Sequence, residues 1–278
     1  MEKQRMTSTF SFGLLCDDAP LNLIDKEWDY LEIPNFIMVN PFACDAFWEQ
    51  EKAMLHASGF KMMTASHYTQ LGGTIGMRCT GPQFDHEQQR MWAKRSFRRM
   101  KELGIEVVGV YGKAFFVPDG YSPEKAMDDA ISCCNILADE AEENGIQVAL
   151  EPMADLTTLW PRYLDGIDFV KKVNRKSIKV MADLNYFYKL NQPLEHIYTN
   201  PELMINVHIA GSGGAQPNVG TYESNFVRLF QILKDIGYTR GVTTACPWVP
   251  TKEGELDWAY ETKKTILYLK DLRDKTIC

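Results

Sequence analysis

Between residues 145 and 211 the chain reads GIQVALEPM (145–153), YLDGIDFVKKV (163–173), IKVMADLNYF (178–187) and MINVHIAG (204–211). Three of these hold short, nearly continuous apolar runs, Ile146–Glu151, Ile178–Asp183 and Met204–Ala210, long enough for a strand and too short for a helix. The other, Tyr163–Val173, spaces its apolar side chains three and four residues apart, as a helix with one buried face does. A strand apolar throughout is covered on both faces. Strands of that kind alternating with helices build a parallel sheet whose crossovers are the helices.

The alternation continues in both directions. Further strand runs are Phe10–Leu15, Tyr30–Ile33, Phe60–Ala65, Ile105–Tyr111 and Gly241–Cys246, and further helical stretches are Asp45–Ser58, His86–Leu103, Ser122–Asn144, Tyr222–Asp235 and Glu255–Asp274. Ser122 before Pro123 is a helix start, and Leu103-Gly104 and Asn144-Gly145 are helix stops placed directly before strands. About eight βα units in 278 residues match an α/β fold of the (β/α)8 TIM-barrel type, typically about 250 residues long. One domain over 1–278 is expected, because no linker-like segment divides the chain. The glycine-rich stretches Leu71–Gln83 and Gly211–Gly220 both follow strands, which puts them on the face where barrel active sites are built.

Composition narrows the partners. With 30 Lys and Arg against 37 Asp and Glu the formal net charge is −7, which repels nucleic acid. The seven cysteines, at 16, 44, 79, 133, 134, 246 and 278, are odd in number and form no CxxC pair, so reduced thiols in a cytoplasmic protein are expected. Near the N-terminus FSFGLL is the only apolar run before Asp17-Asp18, too short for a signal segment. No stretch approaches the roughly 18 to 20 apolar residues of a membrane span.

Three strand runs end in side chains that hold metals: Glu151 in VALEP, Asp183 in KVMAD and His208 in NVHIA. Singly, each has an ordinary reading, an acid capping the next helix or a hydrogen-bonded core histidine. Together at successive strand ends of a barrel they converge, and two carboxylates with an imidazole suit Mn2+, Mg2+, Co2+ or Zn2+. Other polar residues sit where loops line the mouth. His67, in MMTASHY, is the candidate general base, since an imidazole titrates near working pH. Glu32, Lys113, Tyr186 and Trp248 are the candidate substrate-binding residues, with helix capping, solvated loop and packing roles as the alternatives. Met62, Met63, Met77, Met153 and Met181 fit either a soft lining or barrel packing.

The stretches TGPQFDHEQQRMWAKRSFRRMKELGIEVVGVYG (80–112), VPDGYSPEKA (117–126), AEENGIQVALEPM (141–153), IKVMADLNYF (178–187), NVHIAG (206–211) and FQILKDIGYTRGVTTACPW (230–248) resemble, in order and spacing, the sugar phosphate isomerase/epimerase group of the xylose isomerase-like TIM barrels. That group includes ketose 3-epimerases, inosose dehydratases and, more distantly, apurinic endonucleases. The resemblance places Glu151, Asp183 and His208 on three of the family's four metal ligands and gives Glu151 a catalytic role as well.

The departures from the family pattern are equally specific. The fourth ligand, a glutamate that is also an acid/base group in epimerases, is Ala245 here. A substrate-holding histidine is Tyr186, a further glutamate is Thr157, and the arginine past the histidine strand is absent, with Gln216 the nearest polar candidate. Cys246 adjoins the vacant position, but neighbouring strand residues face opposite ways, so it is not expected to replace the ligand. Glu253 and Glu255, on the following loop, are the candidates to reach back into the vacant position.

Without the opposite-face carboxylate, weight shifts from epimerisation toward reactions that remove a proton from one face. The expectation is a metal-dependent isomerase or lyase acting on a sugar, cyclitol or sugar conjugate, its metal weakly bound or lost without the fourth ligand. The alternative is a carbohydrate-binding or regulatory barrel without turnover. A small carbohydrate-like molecule is the expected partner, and self-association or a partner subunit is left open.

Overall fold

The expected strands form, each within about two residues of its expected ends: β1 (Ser11–Leu15), β2 (Tyr30–Pro34), β3 (Met62–Ser66), β6 (Val107–Tyr111), β7 (Gln147–Glu151), β8 (Ile178–Asp183), β9 (Met204–Ile209) and β10 (Gly241–Thr244), with β4 (Gln70–Leu71) and β5 (Thr74–Ile75) forming a small antiparallel hairpin after β3. This is a computed structural model describing residues 9–71, 74–75 and 77–277. The expectations placed on the first eight residues, on Gly72, Gly73 and Gly76 of the Leu71–Gln83 loop and on Cys278 lie outside the described residues. The larger strands pair in parallel and close on themselves in the order β1-β10-β9-β8-β7-β6-β3-β2. Closure leaves no barrel strand with an unpaired edge.

Around the barrel run α1 (Asp45–Ala57), α2 (His86–Glu102), α3 (Pro123–Asn144), α4 (Tyr163–Val173), α6 (Glu223–Asp235) and α7 (Trp258–Ile277), with a short α5 (Leu184–Lys189) directly after β8. The start and stop signals act as expected. Ser122 Oγ accepts from the Lys125 N–H, Pro123 opens α3, and Gly145 ends it in the left-handed region at φ 73°. One face of α3 then buries Ala126, Ala130, Cys133, Cys134, Leu137 and Ala141 against the barrel. Each fully buried aliphatic of leucine size contributes roughly 1.5–3 kcal/mol, so this interlayer surface, not helix propensity, holds the crossovers down. Met62, Met77, Met153 and Met181 are buried, so packing is their role. Among the described residues no helix is long and apolar enough to cross a membrane.

The barrel interior is divided along its axis. Tyr30, fully buried, lays its ring across the space where Gly13 and Gly241 would carry a Cβ, and its hydroxyl meets Thr243 Oγ1 at 2.7 Å. Val107, Ala149, Met181 and Ile205 form a small buried apolar cluster separate from the main core. Further along β7 and β8, on the same strand faces as Ala149 and Met181, stand Glu151 and Asp183. A register shift at Val180/Met181 sets Asp183 level with His208 on β9, and Tyr111 pairs with Glu151.

Candidate metal centre

Glu151, Asp183 and His208 converge as the strand-end pattern requires: one donor atom from each lies within 4.8 Å of the others, and all three residues are buried. His208 Nδ1 stands 4.0 Å from Glu151 Oε1 and 3.9 Å from Asp183 Oδ2. Its other nitrogen, Nε2, donates to Glu32 Oε1 at 2.8 Å. That bond fixes which nitrogen faces the two carboxylates, the arrangement by which metal-ligating imidazoles are commonly oriented. Asp183 also does what an ordinary strand-end acid does, since its Oδ1 accepts the Asn185 N–H at 2.8 Å and caps α5. Its two oxygens therefore serve separate ends.

Charge explains why the cluster suits a cation. Burial, opposed by His208, pushes Glu151 up to about 8 and Asp183 up to about 6. His208 rises to about 9 although burial disfavours its charge, because Glu32 and the two mouth carboxylates surround it. Glu32 falls to about 2 against full burial, through the His208 charge and hydrogen bonds from His208, Thr64 and Thr243. Two dehydrated carboxylates facing one imidazole nitrogen are a donor set that a divalent ion satisfies better than a proton does. The residues present fit the group.

The site opens into a cavity of about 330 Å3, lined by Glu151, Asp183 and His208 together with Asp17, His67, Tyr111, Tyr186 and residues 245–248. His67, Tyr186 and Trp248 thus reach the mouth. His67 holds a left-handed backbone at φ 55°, uncommon outside glycine, and its Nδ1 faces Asp17 Oδ2 at 3.6 Å. Tyr186 rises well above the usual phenol range through burial and the Glu151 and Asp183 charges, so it presents a neutral hydroxyl.

Several expected residues stand elsewhere. Glu32 does not reach substrate: it is fully buried beneath His208, and its oxygens also accept from Thr64 Oγ1 (2.6 Å), Thr243 Oγ1 (3.0 Å) and Asn206 Nδ2 (3.3 Å). Lys113 is exposed and outside the cavity lining. Glu253, Glu255 and Thr157 are exposed and also away from the lining. Gln216 is fully buried and clamps the loop after β10, its amide exchanging bonds of 2.7 and 3.0 Å with the Val249 backbone next to Trp248.

The strand-alternation argument against Cys246 fails for a simple reason. β10 ends at Thr244, so Ala245 and Cys246 lie past the pleat and both line the cavity. Burial and the Asp183 charge push the Cys246 thiol up to about 12, leaving it protonated and a poor ligand. Asp17 and Tyr111 were missed by sequence reasoning. Asp17 carried a signal close to that of Glu151, an acid two residues past an apolar strand where Glu151 is the last residue of one.

A family model described as xylose isomerase-like TIM barrel matches residues 26–272. Among solved structures, 3-keto-D-glucoside 4-epimerase from E. coli superposes with a TM-score of 0.71 at 20% identity, covering 95% of this chain and 100% of that one. D-psicose 3-epimerase from Clostridium cellulolyticum H10, solved with D-tagatose, gives 0.71 at 18% identity over 96% and 99%. The IOLI protein, solved with a bound zinc atom, gives 0.68 at 14% identity over 96% and 99%. At such identities the likeness is one of fold. No curated protein matches the sequence.

Proposed function

The chain belongs to the xylose isomerase-like TIM-barrel family, and from that premise we propose that it is a divalent-metal-dependent isomerase or lyase acting on a ketose or a sugar-like conjugate in the cytoplasm. The observation that carries this reading is the His208 imidazole, held from below by Glu32 and turned toward Glu151 and Asp183 at the floor of a sugar-sized cavity. The epimerases among the structural neighbours, and the zinc atom bound in another neighbour, support it.

Glu151, Asp183 and His208 would hold Mn2+, Co2+, Mg2+ or Zn2+. When bound, such an ion polarises a carbonyl or hydroxyl oxygen. The chain's own residues then do the rest. Glu151 Oε takes the proton from the hydroxyl-bearing carbon beside the carbonyl, the electron pair moving onto the carbonyl oxygen. In an isomerisation it returns the proton to the former carbonyl carbon while the hydroxyl proton moves to the former carbonyl oxygen. His67 is the second acid/base group. Tyr186 and Trp248 wall the cavity, the first offering a hydroxyl donor and the second an apolar face for a sugar ring, while Gln216 keeps the Trp248 loop in place.

Metal analysis of protein purified without chelator tests the site, and proton NMR in D2O with D-fructose, D-allulose or D-tagatose tests the chemistry. Expected are near-stoichiometric Mn, Co or Zn and deuterium entering beside the carbonyl, both lost in His208→Ala. Ala245 favours a second reading, a non-catalytic carbohydrate-binding barrel. Sugar binding that survives chelation, with no metal and no exchange, would establish that one instead.

A further inference from the structure

Ala245 follows β10 and lines the cavity, so that strand brings no acid or base to the mouth. A carboxylate stands close by on the neighbouring strand. Asp17 follows β1, the strand hydrogen-bonded to β10, and lies four strands from β7 whichever way the closed barrel is counted. It therefore enters the cavity across the mouth from Glu151. Its Oδ2 faces His67 Nδ1 at 3.6 Å, and its Oδ1 is buried with no hydrogen-bond partner among the described residues. A carboxylate with one dehydrated, unpartnered oxygen directs its charge toward the cation or N–H beside it. His67 in turn is held in a left-handed backbone conformation, which places its ring against the Tyr111 ring edge at 6.4 Å between centroids. Such backbone outliers persist where surroundings fix them and recur at functional sites.

We propose that Asp17 and His67 form an acid/base dyad on the face opposite Glu151, Asp17 holding the proton on His67 Nδ1 so that Nε2 exchanges protons with substrate. Asp17 is the positioning residue and His67 the catalytic one. This rests on the function proposed above and deepens it, because two proton-exchanging groups on opposite faces make the reaction an epimerisation. The balance closes without another reactant. The substrate C–H bond breaks to Glu151, the electron pair delocalises onto the carbonyl oxygen, and the protonated His67 breaks its Nε2–H bond to deliver a proton to the same carbon from the other side. Running in reverse, His67 accepts and Glu151 delivers. The separation of 3.6 Å is longer than a hydrogen bond, as catalytic contacts often are before substrate binds.

Two measurements test this. The first uses metal-loaded enzyme in D2O with D-fructose, D-allulose and D-tagatose, reading deuterium uptake and inversion at the carbon beside the carbonyl. Asp17→Asn and His67→Gln are expected to lose inversion by about 10²–10⁴-fold while deuterium still enters with retained configuration through Glu151; Asp17→Glu recovers part of the inversion. Inversion at the wild-type rate in Asp17→Asn or His67→Gln overturns the dyad and leaves the proposed function standing. Wild-type protein that exchanges no deuterium into any of the three sugars overturns the proposed function, and with it the dyad's catalytic use.

The second measurement needs no sugar. Nitrogen-15 NMR of the zinc-loaded protein, with His67 assigned by its loss in His67→Gln, is expected to find the Nδ1–H tautomer in the wild type. Asp17→Asn, whose amide donates to Nδ1, shifts it to the Nε2–H tautomer. The Nε2–H form in the wild type, or no change in Asp17→Asn, overturns the dyad whatever the sugars do.

Discussion

Glu32 Oε1 lies 2.8 Å from His208 Nε2, wholly buried beneath the mouth of the barrel. The bond is the top rung of a ladder reaching down the axis. Glu32, held as a carboxylate, accepts the Thr243 hydroxyl proton, so Thr243 Oγ1 accepts in turn from Tyr30. Glu32→Gln keeps the shape and removes the charge, exposing the orientation of His208 to either ring tautomer. A 10–100-fold loss in Zn2+ or Mn2+ affinity is expected by isothermal titration calorimetry. Glu32→Ala adds a cavity and strands a buried imidazole, at a cost of about 3–5 kcal/mol by urea unfolding. Metal affinity unchanged in both variants would mean that His208 needs no support from below.

The same cluster makes the metal-free protein sensitive to pH. Glu151 (about 8), Asp183 (about 6) and His208 (about 9) all stand above their ordinary values, so the native chain holds protons that the unfolded chain has released. Stability therefore falls as pH rises through these values, each tenfold difference in proton affinity between the folded and unfolded chain being worth at most about 1.4 kcal/mol per group. Glu32, at about 2, runs the opposite way: its contribution is present above about 4.5 and is lost as pH falls toward 2. In chelator the Tm is expected to peak near pH 5 and decline toward pH 9, and saturating Zn2+ to flatten the decline, because a bound ion requires ionised carboxylates and a neutral imidazole. A level Tm in chelator across that range contradicts it.

Gly13 is fixed by the Tyr30 ring, and Gly241 by the Tyr30 hydroxyl and the Met63 methyl, rather than by backbone torsion. A methyl group at Gly13 runs into the ring carbons, which are enclosed on every side. Gly13→Ala is expected to cost about 1–3 kcal/mol or more in urea unfolding, the usual penalty of overpacking. Gly13→Ala with Tyr30→Phe relieves little, since the clash is with the ring and the hydroxyl to Thr243 is then lost as well. An additive stability loss in the double variant is the expected signature, and near-complete recovery would place the crowding at the hydroxyl.

The barrel and the convergence of Glu151, Asp183 and His208 were legible because both follow from periodicity: apolar runs of strand length fix the sheet, and the last residue of such a run faces the mouth. What lay beyond periodicity was not. Glu32 also ends a strand run, yet a register shift between Leu31 and Glu32 and the partners Thr64 and Thr243 from neighbouring strands turn it under His208. Cys246 was assigned by alternation to the wrong side because the strand stops at Thr244. The hairpin of β4 and β5 and the six-residue α5 are too short to carry a period. Asp17 carried a readable signal, but the aspartates at 17 and 18 served only to mark the end of an apolar run.

Position 245 offers a direct test of whether Glu151, Asp183 and His208 suffice to hold a metal. Its backbone N–H is bonded to Ile209 O at 3.1 Å, one residue past His208, so the residue is anchored beside β9 and lines the cavity. Ala245→Glu adds a carboxylate to a cluster that already holds two. Without metal that addition is repulsive, and the Tm in chelator is expected to fall; with metal it supplies a fourth donor, the third carboxylate, and affinity is expected to rise roughly tenfold or more, about 1.4 kcal/mol. The opposite signs are the diagnostic, because a substitution that merely disturbed the loop would lower both. In the Asp17→Ala background the same glutamate stands one strand from the lost acid and can exchange protons on the face opposite Glu151. Inversion is then expected to return in Asp17→Ala/Ala245→Glu, and its continued absence would mean that position 245 reaches the metal but not the substrate carbon.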